Sequence, residues 1–281
     1  MKPEYVAIPL IFLSFAVAEM IHTKFFRKDG EVGGDLLADA TASAFVVGLL
    51  QPMVILCGGL LAAAVAPTSE GALSHWPLLA QIGLLLVFDD MTQYWWHRAS
   101  HTFPWLYKLH RAHHNADYMS VRMTYRNNFF YFVLFPSFWF VGALVYLGLG
   151  PIYSAYIIVK MAVIYGAHSD VRWDEKLYRV AWLAPVMWVV ERTISTPATH
   201  AAHHGKYAAD PATNYKGNYG NLLFFWDVLF GTAKITRTYP ERFGVENLPP
   251  AGVGEQLFWP IVRTKPAPTN APQPKDLAAA E

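Results

Sequence analysis

The chain has 281 residues, of which 54% are hydrophobic and 15% aromatic, with only 15% charged and a formal net charge of +1. A soluble domain usually carries about 25% charged residues. This chain is therefore short of polar groups for a water-facing surface, too hydrophobic for disorder, and too near neutrality to attract nucleic acid. A single cysteine, Cys57, excludes an intrachain disulfide and a Cys-rich zinc or iron–sulfur site.

Residues 41–69 contain no Asp, Glu, Lys, Arg or His, and residues 127–159 no Asp, Glu, Lys or Arg. An apolar run of about 18 residues or more reads as a membrane helix, because the hydrocarbon core takes about 20 residues to cross. The sequence predicts spans near 4–22, 43–66, 77–96, 129–148 and 152–168. The fifth is short and carries Lys160. The first has a rival reading as a signal peptide, with Ala16-Val17-Ala18 as the cleavage site. Its start is poor, since Glu4 offsets Lys2, and cleavage would leave Lys24, Arg27 and Lys28 outside. Retention as a membrane helix is the expectation.

Loop charges set the sidedness. Basic residues fall in 23–42, in 97–128 and after 168, whereas 67–76 and the turn at Gly150-Pro151 hold none. Five alternating spans then put the N-terminus outside and every basic segment on the cytoplasmic side. Residues 177–194, with Pro185, Trp182 and Trp188, and residues 221–230 read as interfacial helices. The expected fold is an all-α integral-membrane bundle of four to five transmembrane helices with a cytoplasmic helical cap. It forms one domain over 1–264, followed by a disordered Pro/Ala-rich tail over 265–281.

Eight of the eleven histidines lie in three clusters: His97 and His101; His110, His113 and His114; His200, His203 and His204. In a helix, partners three and four residues apart point to one side, and the HxxHH pattern occurs twice. Imidazoles packed together repel when protonated and need partners when neutral and buried; a divalent metal removes both problems. Eight or nine exceed the needs of one metal and fit two metals with four or five ligands each. Nitrogen ligands suit iron, zinc, copper or nickel alike. An interfacial pH-sensing patch and a haem held by two axial histidines are the rival readings. His168 lies at the inner end of the fifth span, level with the clusters, and is a ninth candidate.

Asp90, Tyr94, His97 and His101 form one helical stripe, and Asp90 is expected to accept a ring N–H from a ligand histidine, with a hydrogen bond to Tyr94 or to another helix as the rival reading. Asp89 is offset by about 100° toward another helix. Lys160 either pairs with an acid or snorkels.

The run Asp90-Met-Thr-Gln-Tyr94-Trp-Trp-His97-Arg98-Ala-Ser-His101, then Pro104 to His114, His200 to His204, Asn218-Tyr219-Gly220 and Trp226-Asp227 to Thr232 carries a resemblance. Over roughly residues 75–235 the chain resembles the fatty acid hydroxylase, or sterol desaturase, superfamily. The resemblance implies an integral-membrane oxygenase that activates O₂ at two irons and hydroxylates or desaturates a lipid. Its implied ligands are His97, His101, His110, His113, His114, His200, His203 and His204. His168 is the only candidate for the further histidine the family places between the second and third clusters. Some members have a pair there, and here the residue four on is Arg172. Asp227 is carried over as a residue behind the ligands.

No Gly-rich dinucleotide fingerprint follows a strand, so electrons are expected from a separate ferredoxin or small haem protein. Arg98, Lys108, Arg111, Arg122, Arg126, Arg172, Lys176 and Arg179 are expected to form its basic docking face. Hydroxylation and desaturation both begin with hydrogen abstraction and stay open. A non-catalytic membrane metal-binding protein or a haem electron carrier is the reading from another class.

Overall fold

The computed structural model describes residues 2–248 and 251–264; the expected tail over 265–281 lies outside them. The described residues are helical and contain no strand, only an isolated bridge between Gly205 and Phe243. The long helices are α1 (Glu4–His22), α2 (Asp35–Val65) and α3 (78–102). They are followed by α4 (Pro104–His114), α5 (Pro136–Leu144), α6 (Gly150–His168), α7 (Ala184–Thr193) and α8 (Pro197–His203).

Proline sets several of the starts. Pro104, Pro136, Pro151, Pro185 and Pro197 stand in the first turns of α4 to α8, where the missing N–H costs nothing. Pro104 also holds Phe103 extended (φ −98°, ψ 118°). Helix α3 thus ends at Thr102 and α4 begins two residues later, so the chain folds back at a sharp corner. That corner turns the histidines of α3 toward those of α4.

Among the described residues, three stretches are long and apolar enough to cross a membrane: Glu4–His22, Asp35–Val65 and Phe129–His168. The last is broken at Gly148 (φ 107°), a backbone conformation that favours glycine. Its two limbs correspond to the expected spans 129–148 and 152–168. The break packs against the loop after α2, where Leu73 N donates to Leu147 O (2.8 Å). The expected span 77–96 lies within α3, whose C-terminal half carries Asp89, Asp90, His97 and His101. The segment 177–194 folds as a short turn and then α7, with Trp182, Val186, Trp188 and Val189 exposed on one side. Only Phe225–Leu229 of 221–230 is helical.

Helices α2 and α5 cross at glycine. A Cβ on Gly142 would lie 2.1 Å from Ile55 O, and one on Gly58 2.4 Å from Trp139 O. Small residues let membrane helices approach this closely. Gly142→Ala is expected to separate the pair and cost about 1–3 kcal/mol, read as a lower thermal midpoint in detergent. An unchanged midpoint would show that the crossing adapts freely.

Helix α1 belongs to the same packing. Its Ala16 packs with Ile157, Met161, Ile164 and Tyr165, the last four from α6. Its fully buried Glu19 accepts from Ser120 Oγ (2.6 Å) and Val121 N (2.9 Å) and pairs with Lys28 (3.0 Å). Nearby, Arg126 pairs with Asp35 (2.5 Å), and Arg122 with Asp39 (2.8 Å) and Glu31 (2.7 Å). These buried ion pairs tie the start of α2 to the segment after α4. They also correct the expected docking face, because Arg122 and Arg126 are consumed inside the fold. Arg111 is likewise paired, with Glu255 (2.6 Å).

Candidate metal centre

All nine sequence-predicted histidines meet at one end of the bundle, in two groups. His97, His101, His110, His114 and His203 form one; His113, His168, His200 and His204 form the other. Within each group the nearest ring nitrogens lie within 4.8 Å of one another. Eight of the nine are buried, and His101 is half-buried.

The two HxxHH boxes are used in opposite senses. His110 and His114 of α4 enter the first group and His113 the second. His200 and His204 enter the second group and His203 the first. This corrects the expectation that the i, i+3 and i, i+4 pairs share one side. Residues i+3 and i+4 lie on opposite flanks of residue i, about 100° apart, so each box straddles both groups. His114 and His204 stack across the divide at 4.4 Å between ring centroids.

The backbone orients several of these rings. His97 Nδ1–H donates to Tyr219 O (2.8 Å), His203 Nδ1–H to Gly217 O (2.7 Å) and His168 Nδ1–H to Ile164 O (2.8 Å). His110 Nδ1–H donates to Asn127 Oδ1 (2.8 Å). A carbonyl only accepts, so the proton is assigned to Nδ1 and each neutral ring turns an Nε2 lone pair inward. His97 Nε2 and His203 Nε2 then face each other at 2.9 Å, lone pair to lone pair. That contact is repulsive unless an electrophile lies between the rings. Both ring nitrogens of His204, and Nδ1 of His113 and His200, are buried without a protein partner. The donor set therefore fits two nitrogen-bound metal ions.

Burial holds His97 down to about 4, and holds His101, His110, His113, His114, His200, His203 and His204 well below the ordinary histidine range near 6.5, with neighbouring imidazoles adding to the effect. The rings are therefore neutral, the form that binds metal. The sign for stability follows. Below pH 6.5 the unfolded chain takes up protons that the folded metal-free chain refuses, so stability falls as pH falls. Each extra proton costs about 1.4 kcal/mol per pH unit. The metal-stripped protein is expected to lose thermal stability steadily from pH 6.5 toward 4; bound metal raises the midpoint but, by keeping the rings unprotonated, does not flatten the slope. A flat profile in the stripped protein would show that the rings protonate within the fold.

Asp90 departs from expectation. It reaches no histidine; its carboxylate accepts from Leu223 N (3.1 Å) and Trp226 Nε1 (2.8 Å). Tyr94 stacks on Phe230 at 5.3 Å and its hydroxyl lies 3.0 Å from Thr232 Oγ1. Both residues clamp the 219–232 loop onto α3. Asp227 acts more directly, accepting from Tyr219 N (2.8 Å), Gly220 N (2.6 Å) and Thr232 Oγ1 (2.6 Å). It thereby fixes the peptide whose carbonyl orients His97. Arg172 points elsewhere, over the Tyr239 ring at 4.4 Å.

Sequence reasoning missed Asn127 and the carbonyls of Ile164, Gly217 and Tyr219. Of the two alternatives for Lys160, the ion pair forms: its partner is Asp89, at 2.6 Å, with Tyr156 and Ser137 also donating to Asp89. A narrow cavity of about 80 Å³ runs between this pair and the histidines. His97, His110, His113 and His168 close one end, and Phe132, Phe135, Phe138, Ile157, Met161 and Ile164 supply its apolar wall. A second cavity of about 380 Å³, lined by Tyr107, Lys206, Tyr215 and Lys216, reaches His101 and His114 from the other side.

Residues 82–232 match the family model for fatty acid hydroxylase. The chain belongs to the fatty acid hydroxylase family. It is 28% identical over 145 residues to alkylglycerol monooxygenase of Danio rerio, matching 51% of this chain and 28% of that protein. It is 26% identical over 275 residues to ornithine lipid hydroxylase OlsE of Rhizobium tropici, covering 91% of this chain and 73% of that one. A very-long-chain aldehyde decarbonylase of Oryza sativa is 25% identical over 58% of this chain and 56% of its own length. No solved structure matches. The chain thus spans little more than a quarter of the first of these relatives.

Proposed function

We propose that this chain is an integral-membrane di-iron oxygenase that uses O₂ and external electrons to hydroxylate a C–H bond of a lipid. The observation that carries the reading is the pair of histidine groups, five and four, at the closed end of an apolar slot. Relatives named for lipid hydroxylation and monooxygenation support it. When bound, two iron ions supply the O₂ chemistry that attacks an unactivated C–H bond, which no side chain can do.

The protein's own residues bind, orient and exclude. His97, His101, His110, His114 and His203 hold one ion; His113, His168, His200 and His204 hold the other. Asn127 and the carbonyls of Tyr219, Gly217 and Ile164 keep four of the rings in the metal-binding tautomer. The apolar wall from Phe132 to Ile164 excludes water and lies against a lipid chain.

The bundle spans the membrane in four to five passes, with the metal centre and the basic segments on the cytoplasmic side. A ferredoxin or small haem protein supplies the electrons. Of the residues expected to meet it, Lys108, Lys176 and Arg179 are exposed.

Turnover under ¹⁸O₂ with a lipid extract and a reducing system tests the reading. Label in the product lipid supports hydroxylation; an unlabelled product with a new double bond would replace it by desaturation, and no oxidised lipid would sink it. A reporter fused after residue 240 reads the side, and an external signal would reverse the topology.

A further inference from the structure

Three residues of α3 one turn apart, Asp89, Gln93 and His97, line the slot. At about 1.5 Å per residue, Gln93 lies ~6 Å along the axis from His97 and Asp89 ~12 Å. His97 faces the metal groups and Asp89 is paired, but Gln93 is not. Its Oε1 is buried and has no hydrogen-bond partner. Across the slot, Lys160 is buried with one hydrogen bond, to Asp89 Oδ2 (2.6 Å). An ammonium carries three donors, so two remain for an occupant. A hydrocarbon chain alone would leave Gln93 Oε1 without a partner, and a buried polar group without a partner is costly.

We propose that Gln93 and Lys160 form a polar subsite that reads a hydroxyl on the lipid substrate. A hydroxyl meets both needs at once: it accepts from Lys160 Nζ and donates to Gln93 Oε1. The subsite lies one to two helical turns, ~6–12 Å, from His97, so the oxidised carbon lies within the stretch of chain that spans this distance from the hydroxyl, not at the end of a long featureless tail. Asp89 acts as a positioning residue that holds Lys160 in the slot.

The inference rests on the slot being the lipid site, and matched probes separate the two. 1-Hexadecanol and hexadecane are titrated into the detergent-purified full-length protein, and the thermal midpoint is followed. Binding of the alcohol is expected about tenfold tighter, the gain from satisfying a buried polar group. Gln93→Leu is expected to bring the two probes within about twofold of each other by weakening the alcohol alone. Gln93 makes no side-chain hydrogen bond that this change would remove. Equal binding of both probes to the unaltered protein would overturn the subsite and leave the lipid slot standing. So would a preference for the alcohol that survives in Gln93→Leu. Binding of neither probe would overturn both the subsite and the slot.

Discussion

Purified from iron-rich medium, the chain is expected to hold two iron ions per polypeptide, and His168→Ala is expected to hold one. His168 belongs to the group of four, where no histidine is spare. Its Nε2 lies 3.0 Å from His200 Nε2 and 3.4 Å from His113 Nε2, and its Nδ1–H is tied to Ile164 O. His101→Ala removes one of five and leaves four, so this variant is expected to keep both ions. The asymmetry separates a two-metal centre from a loose histidine patch, in which either change would have a similar small effect. Loss of an outer partner already costs about 10–100-fold in affinity or activity, so His168→Ala is expected to cost turnover about 100-fold or more. Elemental analysis with an optical spectrum reads the result. Two ions retained in His168→Ala would remove His168 from the ligand set. A single haem iron with a Soret band, or zinc alone despite iron in the medium, would sink the oxygenase reading.

The histidines were legible in the sequence because helical spacing is local. His97 with His101, and His110 with His114, share a face through the helix repeat alone. The apolar stretches were legible for the same reason, whereas the helix start at Pro185 was not, since Pro185 stands inside the 177–194 segment that reads as one helix. The assignment of His113 and His203 to opposite groups was not. It depends on how α4 and α8 are laid against each other, by Pro104 at one corner and by the Thr196–Thr199 capping box at the start of α8. The outer partners left no local mark either. Tyr219 lies 122 residues from His97, and a backbone carbonyl carries no residue type to read. Asp90 misled because its helical position was right and its partner was not. Its side of α3 meets the 222–226 loop, whose unpaired N–H groups take the carboxylate. Arg122 and Arg126 misled in the same way: counted as surface charge, they are held by Asp35, Asp39 and Glu31, brought in from the start of α2 and the loop before it.

Asp227→Asn is expected to weaken metal binding at the five-histidine group by about 10–100-fold, the usual cost of losing an outer partner, and to leave the four-histidine group unchanged. The carboxylate accepts from two consecutive peptide N–H groups and from Thr232. An amide keeps one oxygen and turns an NH₂ toward a donor, so one of these bonds becomes donor against donor. The site has no slack, since a Cβ on Gly220 would already lie 2.9 Å from Asp227 Oδ2 and 2.5 Å from Leu223 O. The Tyr219–Gly220 peptide must therefore shift, and with it the carbonyl that fixes His97. The second group reaches Asp227 through none of these bonds: His168 is held by Ile164. Titration with a competing chelator is expected to strip one ion early and the other at the unaltered chelator concentration. Equal weakening of both ions would show that the loop supports the whole centre, and no weakening would show that His97 holds its orientation without Tyr219. A variant that merely unfolds would lose both ions together with its thermal transition, so the midpoint is read in the same samples.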